Sequence, residues 1–215
     1  MNRRHFLSAL TLTTACSARH ARIQTPAAPA VSKRLFPVNV AKERIIRTIT
    51  GLRPYRPSGF VVRTESMEGK TIVHNYGHGG GGVTLSWGSA HLAVQLALPS
   101  NARRMAVLGA GAVGLATARL LQEHGVEVTI YAKDLPPGTT SNIAGAQVFP
   151  VTVYAHDSIT PEFRAQFVEA ARFSYRRYQL MVGEYYGIRW MPNYMLDRQP
   201  LPEPDYPASK ARSPI

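Results

Sequence analysis

A glycine fingerprint between a strand-like run and a helix-like run constrains this sequence more than any other feature. Residues 105–121 read MAVLGAGAVGLATARLL, in which Gly109, Gly111 and Gly114 have the spacing G-x-G-x-x-G. Residues 126–132 (VEVTIYA) then alternate and are rich in β-branched side chains, which is typical of a strand. Strand, tight turn, helix and strand form the order of a dinucleotide-binding unit. The sequence therefore predicts an α/β protein with a Rossmann-like βαβ domain.

Each glycine of the fingerprint has a predicted role. Gly109 allows the tight turn, Gly111 lets the backbone approach a pyrophosphate, and Gly114 lets the helix pack closely on the strand. The free N–H groups of the helix N-terminus would then face the phosphates. Ala110 and Val113, which lie between the glycines, complete the predicted binding turn.

The segment after the second strand is predicted to continue the site. Asp134 lies roughly 20 residues beyond the fingerprint, where an acidic side chain commonly holds a ribose hydroxyl. The neighbouring Lys133 leaves that contact open. Residues 134–142 (DLPPGTTSN) predict a turn rich in hydroxyl and amide groups, and residues 143–147 (IAGAQ) are expected to pack against the ligand.

A second glycine run precedes the fingerprint. Residues 77–82 (GHGGGG) hold five glycines in six positions, a composition that costs backbone entropy and suits close approach to a flat or anionic group. Residues 60–63 and 71–76 predict a β-hairpin before this run, and residues 85–98 predict an apolar helix after it. The alternative is a flexible linker.

The two ends of the chain have compositions of their own. Residues 1–22 resemble a twin-arginine export signal, with Arg3 and Arg4 before a short apolar run, and residues 23–50 predict a linker. Export to the periplasm is therefore expected, with a cytoplasmic location if the signal does not function. Cys16 raises the alternative of lipidation.

Residues 161–187 predict a long helix that begins with a capping Thr160, and residues 192–215 predict a polar, Pro-rich tail. The net charge of +12 does not indicate nucleic-acid binding, because residues 1–34 supply half of it and no basic run is interleaved with aromatics. A single cysteine excludes an internal disulfide and a Cys-based zinc site. The N-terminal apolar run is too short for a stable membrane span.

Four stretches resemble the D-amino-acid oxidase family. The most specific is HNYGHGGGGVTLSWG at residues 74–88; the others are GLRPYRP at 51–57, the fingerprint at 107–114, and TTSNIAGAQ at 139–147. The resemblance implies FAD as cofactor, a D-amino acid as substrate, and molecular oxygen as electron acceptor. His74 and His78 are expected to form hydrogen bonds near the flavin loop rather than a metal site.

By position, the resemblance implies three groups of cofactor contacts and one substrate contact. The pyrophosphate would lie at Gly109, Gly111 and Gly114, and the phosphate and ribityl region at Thr139, Thr140 and Ser141. The pyrimidine edge of the isoalloxazine would lie at Gly79, Gly80, Gly82, Val83 and Thr84. Arg53 would bind the substrate carboxylate, the alternative being a surface arginine in a turn.

The motif order departs from that of the family. The family has the nucleotide fingerprint near its N-terminus and the HNYGHGG stretch near its C-terminus, whereas here the order is reversed and joined through residues 99–104, as in a circular permutation. Residues 51–150 are predicted to form the FAD-binding region and residues 151–191 the helical start of a substrate domain that is otherwise largely absent. Gly81 also stands where the family often has tyrosine.

The resemblance implies an oxidase that converts D-amino acids to 2-oxo acids, ammonia and hydrogen peroxide. The cofactor would take a hydride from the substrate Cα, so no general base is nominated. A nicotinamide-dependent dehydrogenase and an inactive FAD-binding fragment are the alternatives. The oligomeric state and the preferred amino acid stay open.

Overall fold

A computed structural model describes residue 37 and residues 39–193 of the chain, in two units that divide between Ile46 and Arg47. Among its described residues, the first unit contains one 3₁₀ turn, Lys42–Arg44. The predicted export signal, Cys16, and all but the first two residues of the predicted tail lie outside the described residues. Export and lipidation therefore stay predictions.

Residues 47–193 form a mixed α/β unit, and this confirms the predicted fold class. Its elements, in chain order, are β1 (Val61–Met67), β2 (Lys70–Tyr76), α1 (Gly82–Ala97), β3 (Arg104–Leu108), α2 (Ala112–Glu123), β4 (Glu127–Tyr131), α3 (Thr140–Ile143) and α4 (Pro161–Leu180). None of the helices within the described ranges is long and apolar enough to cross a lipid bilayer.

The predicted hairpin is present and is longer than its sequence pattern suggested. Strands β1 and β2 pair antiparallel from Val61 opposite Tyr76 to Met67 opposite Lys70. Glu68 and Gly69 form the tip, with φ of 49° and 73°, so the two-residue turn has the positive φ angles that suit a twisted hairpin. Strand β2 ends at Tyr76, and the second glycine run follows immediately at residue 77.

The fingerprint region forms the predicted βαβ unit. Strands β3 and β4 are parallel, with Arg104 opposite Glu127 and Leu108 opposite Tyr131. Between them Gly109 has φ of 111°, a conformation that L side chains rarely adopt. A Cβ atom at Gly114 would lie 2.1 Å from the carbonyl oxygen of Gly109, so the first turn of α2 packs on the turn before it only because Gly114 lacks a side chain.

Helix α1 lies between two hydrophobic clusters. The first contains Leu85 and Leu92 of α1 with residues of β1 and α4; the second contains Ala90 and Val94 of α1 with residues of β3 and α2. Because apolar contacts surround this helix, it is hydrophobic on several faces rather than along one stripe. The helix therefore joins the hairpin, the βαβ unit and α4 into one body.

Two helix boundaries differ by more than one residue from those predicted. Helix α1 begins at Gly82 rather than at residue 85. Glycine has a low helix propensity, but the packing of the glycine loop stabilises the helical conformation there. Helix α4 ends at Leu180 rather than at residue 187. Past it, Gly183 has φ of 140° and its N–H donates to the carbonyl of Ile188 at 2.8 Å, which closes a tight turn.

The crossing of α1 and α4 generates a stability prediction. A Cβ atom at Gly88 would lie 1.8 Å from the carbonyl oxygen of Ala170, so Gly88→Ala would force the two helices apart. We expect a loss of about 1–3 kcal/mol in the free energy of unfolding, measured by urea denaturation. Gly145→Ala is the matched control, since its Cβ would meet nothing within 4 Å. Equal stability of the two variants would contradict the prediction.

Candidate functional site

A cleft of about 640 Å³ opens where the first turns of α1 and α2 meet. Its wall is made from residues 51–54, from most of residues 75–84, from Val113 and from residues between 140 and 151. The four stretches that carry the family resemblance thus contribute to one cleft. Its volume lies within the range usual for pockets that bind small molecules and cofactors.

The second glycine run is packed rather than flexible. Gly79–Gly81 forms a 3₁₀ turn that leads into α1, and Gly79 and Gly81 are buried. Cβ atoms at Gly79 and Gly80 would lie 2.3 Å from the carbonyl oxygen and 2.0 Å from the Oγ1 atom of Thr152. At Gly81 the Cβ atom would lie 2.6 Å from Val153, which leaves no room there for a larger side chain such as tyrosine. The linker alternative is therefore wrong.

The N-terminus of α1 faces the cleft through Gly82, Val83 and Thr84. Thr84 is buried, and its hydroxyl is already used: Oγ1 donates to the carbonyl of Gln147 at 3.1 Å and accepts from the N–H of Phe149 at 3.2 Å. A ligand would therefore meet backbone N–H groups and the positive end of the helix dipole here, not the Thr84 hydroxyl.

The N-terminus of α2 reaches the same cleft through Val113, together with Thr140 and Ser141 of α3. The Oγ atom of Ser141 accepts a hydrogen bond from the N–H of Ala112 at 2.9 Å, and a Cβ atom at Gly111 would approach that oxygen to 3.0 Å. Ser141 thus packs against the fingerprint and accepts a hydrogen bond from one of the N–H groups at the N-terminus of α2. The hydroxyl proton of Ser141 stays available to a ligand.

Six predicted cofactor residues are not part of the cleft wall: Gly109, Ala110, Gly111, Gly114, Asp134 and Thr139. Asp134 is exposed in the turn after β4. Thr139 is buried and donates from Oγ1 to the Oδ1 atom of Asn142 at 2.8 Å, which orders the start of α3.

A side-chain connection that the sequence did not predict joins the two motifs. Asn75, at the end of β2, lines the cleft, and its Nδ2 atom donates to the Oγ1 atom of Thr117 at 3.4 Å. Thr117 in turn donates to the carbonyl of Val113 at 2.8 Å. Because the Thr117 hydroxyl proton is used in this way, Thr117 can only accept from Asn75. The end of the hairpin is thereby tied to the first turn of α2.

Arg53 lies on the wall of the cleft, and its role in binding a substrate carboxylate stays a prediction. Its Nη1 atom donates to the Oγ1 atom of Thr152 at 2.8 Å. The next residue, Pro54, accepts at its carbonyl from the N–H of Gly79 at 3.0 Å, so the arginine loop is bonded to the glycine loop. The guanidinium keeps further N–H donors for an anionic ligand.

His78 and His74 have separate structural partners. The ring of His78 is buried, stacks on Phe60 with centroids 4.9 Å apart, and places Nε2 2.8 Å from the Oγ atom of Ser89. Burial lowers the pKa of His78 to about 4, so this ring is neutral at pH 7. His74 instead bonds Glu65, with Nε2 3.0 Å from Oε2. No cluster of three or more metal-ligating side chains occurs within residues 39–193.

Helix α4 also reaches the first turn of α1. The hydroxyl of Tyr178 donates to the carbonyl of Val83 and lies 3.0 Å from the Oγ atom of Ser86. Burial raises the pKa of Tyr178 further above neutrality, and the protonated phenol is a hydrogen-bond donor. The sequence analysis predicted this helix but not its contact with α1. The structure adds a hydrogen bond between α4 and a residue of the cleft wall.

These features define an α/β protein with a dinucleotide-binding βαβ unit and a cleft at two helix N-termini. A family model described as FAD dependent oxidoreductase matches residues 19–96 and 104–204, which is most of the chain. The chain belongs to this family of FAD-dependent oxidoreductases. FAD is accordingly the implied cofactor, and the glycine cradle and the two helix ends fit a flat, anionic dinucleotide. This finding disfavours the nicotinamide alternative.

Curated relatives match over shorter segments. A D-amino-acid oxidase of Streptomyces coelicolor is 45% identical over 58 residues, which cover 27% of this chain and 18% of the relative. A D-amino-acid oxidase of Rubrobacter xylanophilus is 52% identical over 54 residues, covering 25% and 17%. A human D-aspartate oxidase is 47% identical over 55 residues, covering 24% and 16%. The matched part thus spans less than a fifth of each of these relatives. No solved structure matches the chain.

The buried ring of His78 makes stability depend on pH. Its pKa is about 4 in the folded chain and near 6.5 when unfolded, so the unfolded state binds more protons between these values. The contribution of His78 to the free energy of unfolding should be nearly constant well above pH 6.5 and should fall as the pH drops through 6.5 towards 4, by roughly 3 kcal/mol at most.

Urea denaturation from pH 4 to pH 8 measures this dependence. His78→Gln keeps a polar amide near Ser89 but does not titrate, so its curve should be flatter than that of the wild type over this interval. Parallel curves for the two proteins would show that His78 does not cause the loss of stability.

Proposed function

We propose that this cleft binds FAD and supports the oxidation of D-amino acids by molecular oxygen. The observation that carries the proposal is the meeting of three features in one cleft: the N-terminus of α1, the N-terminus of α2, and the guanidinium of Arg53. Two of these suit the charged parts of a dinucleotide, and the third suits a carboxylate.

The orientation of the cofactor follows from the two helices. The fingerprint turn at the start of α2 is the type of loop that holds a pyrophosphate, with Thr140 and Ser141 beside it. The pyrimidine edge of the flavin would then lie against residues 79–84, at the start of α1. There the helix dipole would stabilise negative charge on the flavin.

The reaction assigns distinct tasks to the cofactor and the protein. When bound, the flavin supplies the acceptor for the hydride from the substrate Cα and the electrons that reduce oxygen to peroxide. Arg53 would bind the substrate carboxylate and fix the direction in which Cα faces. The imino acid that leaves the site hydrolyses in water to a 2-oxo acid and ammonia.

The reversed motif order and the names of the relatives both support the proposed function. The family match is interrupted at residues 97–103, which comprise the last residue of α1 and its connection to β3, where the sequence predicts that two family segments are joined in reverse. The names of the relatives support D-amino acids as the substrate class, because each is called a D-amino-acid or D-aspartate oxidase.

FAD binding is tested with Gly114→Ala. The wild-type chain should bind FAD, measured by titration with flavin fluorescence, and Gly114→Ala should bind it at least about tenfold more weakly because the new Cβ displaces Gly109. Gln122→Ala, on the exposed face of α2, serves as the control and should bind like the wild type. Absence of FAD binding by the wild type would refute the proposed cofactor site.

The role of Arg53 is tested by steady-state kinetics with a panel of D-amino acids and peroxide detection. Arg53→Met should raise KM by about tenfold or more while FAD affinity is unchanged, and Arg53→Lys should recover only part of the loss because it lacks the planar fork. Arg63→Met is the control, since Arg63 pairs with Glu65 on β1 and not with the cleft. FAD binding without peroxide from any D-amino acid would refute the oxidase reaction alone.

A further inference from the structure

We propose that Thr152 is a positioning residue that holds Arg53 in a fixed relation to the glycine loop. The inference rests on the proposed function, in which Arg53 binds the substrate carboxylate and residues 79–84 lie at the flavin. Thr152 was not among the residues that the sequence singled out. It would determine how the substrate is placed relative to the cofactor without touching either.

The side chain of Thr152 carries the first half of the connection. Its Oγ1 atom accepts a hydrogen bond from the Nη1 atom of Arg53 at 2.8 Å, across 99 residues of sequence. A long, exposed arginine loses side-chain entropy when it is held in one place. Anchoring one N–H group in advance reduces that cost at the moment the other N–H groups bind a carboxylate.

The backbone of Thr152 carries the second half. Its carbonyl accepts from the N–H of Gly80 at 3.0 Å. A Cβ atom at Gly79 would lie 2.3 Å from this carbonyl oxygen, and one at Gly80 would lie 2.0 Å from Thr152 Oγ1 and 3.1 Å from Arg53 Nη1. These three parts of the chain are therefore in close contact: Thr152, Arg53 and the glycine loop. A displacement of one of them would displace the other two.

The backbone conformation of Thr152 indicates that its side chain has a role beyond turning the chain. Its φ is 54°, in the left-handed region, which is unfavourable for a β-branched residue and is usually occupied by glycine or asparagine. A residue needed only to turn the chain would be better served by one of those two. Threonine in this conformation is explained if its hydroxyl is required, and the hydroxyl is the atom that holds Arg53.

Substitutions at Thr152 can separate its effect on substrate binding from its effect on stability. Thr152→Val keeps the branched shape and loses the acceptor, whereas Thr152→Ser keeps the acceptor. Thr152→Gly loses the acceptor but relieves the unfavourable φ. If Thr152 serves only the fold, glycine should be tolerated at least as well as serine. If it positions Arg53, serine should preserve substrate binding and glycine should not.

The experiment uses the full chain loaded with FAD and measures four quantities for each variant. These are FAD affinity, the free energy of unfolding, KM and kcat for D-alanine, and the dissociation constant of pyruvate from its perturbation of the flavin spectrum. Pyruvate carries the carboxylate and cannot be oxidised at a Cα–H bond in the proposed reaction. Thr71→Val, an exposed threonine on β2, is the matched control.

We expect Thr152→Val to raise KM for D-alanine and the dissociation constant of pyruvate by about fivefold to tenfold, with FAD affinity and kcat within about twofold of wild type. Thr152→Ser should be close to wild type. Thr152→Gly should bind pyruvate as weakly as the valine variant without a loss in the free energy of unfolding. Adding Thr152→Val to Arg53→Met should cause no further loss, because both changes remove the same contact.

Wild-type pyruvate binding in the valine variant would overturn the inference and leave the proposed function intact. Equal, parallel losses of FAD affinity and stability in the valine and serine variants would also overturn it, since they indicate a purely structural role. If the valine variant does not fold, the comparison of serine with glycine decides in the same way. A wild-type chain that takes up no FAD would overturn the proposed function, and this inference with it.

Discussion

The contact between the glycine loop and residues 152–153 is the constraint on which the cleft depends. Gly79, Gly80 and Gly81 each bring backbone to within a distance that a Cβ atom would not allow. This contact fixes the direction in which α1 begins. Since α1 lies between both hydrophobic clusters, its direction also determines where α4 and the βαβ unit can pack. A loop that costs backbone entropy is therefore stabilised by the packing that it makes possible.

The geometry also explains why a reversed motif order is compatible with one site. The cleft uses the N-terminal ends of α1 and α2, and β3 brings the chain back to that end before α2 begins. The connection at residues 98–103 follows the C-terminal end of α1, a 16-residue helix that spans about 24 Å at 1.5 Å per residue. A junction at that distance does not disturb the groups that face the ligand.

Local features of this fold could be predicted from the sequence, and long-range contacts could not. The hairpin, the βαβ unit and the two glycine loops each follow from a pattern that is complete within about 30 residues. Arg53 and Thr152 are 99 residues apart, and Asn75 and Thr117 are 42 apart, so neither pair leaves a periodic signal. The predicted start of α1 differs from the observed start for a related reason. Glycine predicts a loop, whereas tertiary packing stabilises a helix at Gly82. Gly183 could have indicated from the sequence that α4 ends before it, because glycine commonly follows the C-terminus of a helix.

The groups that remain free in the cleft determine which ligands it suits. The Thr84 hydroxyl is used within the protein, and the Ser141 oxygen already accepts one hydrogen bond. His78 is neutral and bonded to Ser89. The described wall contains no aspartate or glutamate, so its remaining charges are the guanidinium of Arg53 and the positive ends of two helices. Such a wall favours anions. Positive charge would stabilise the pyrophosphate of a dinucleotide, the negative charge of a reduced flavin, and a carboxylate on a small ligand.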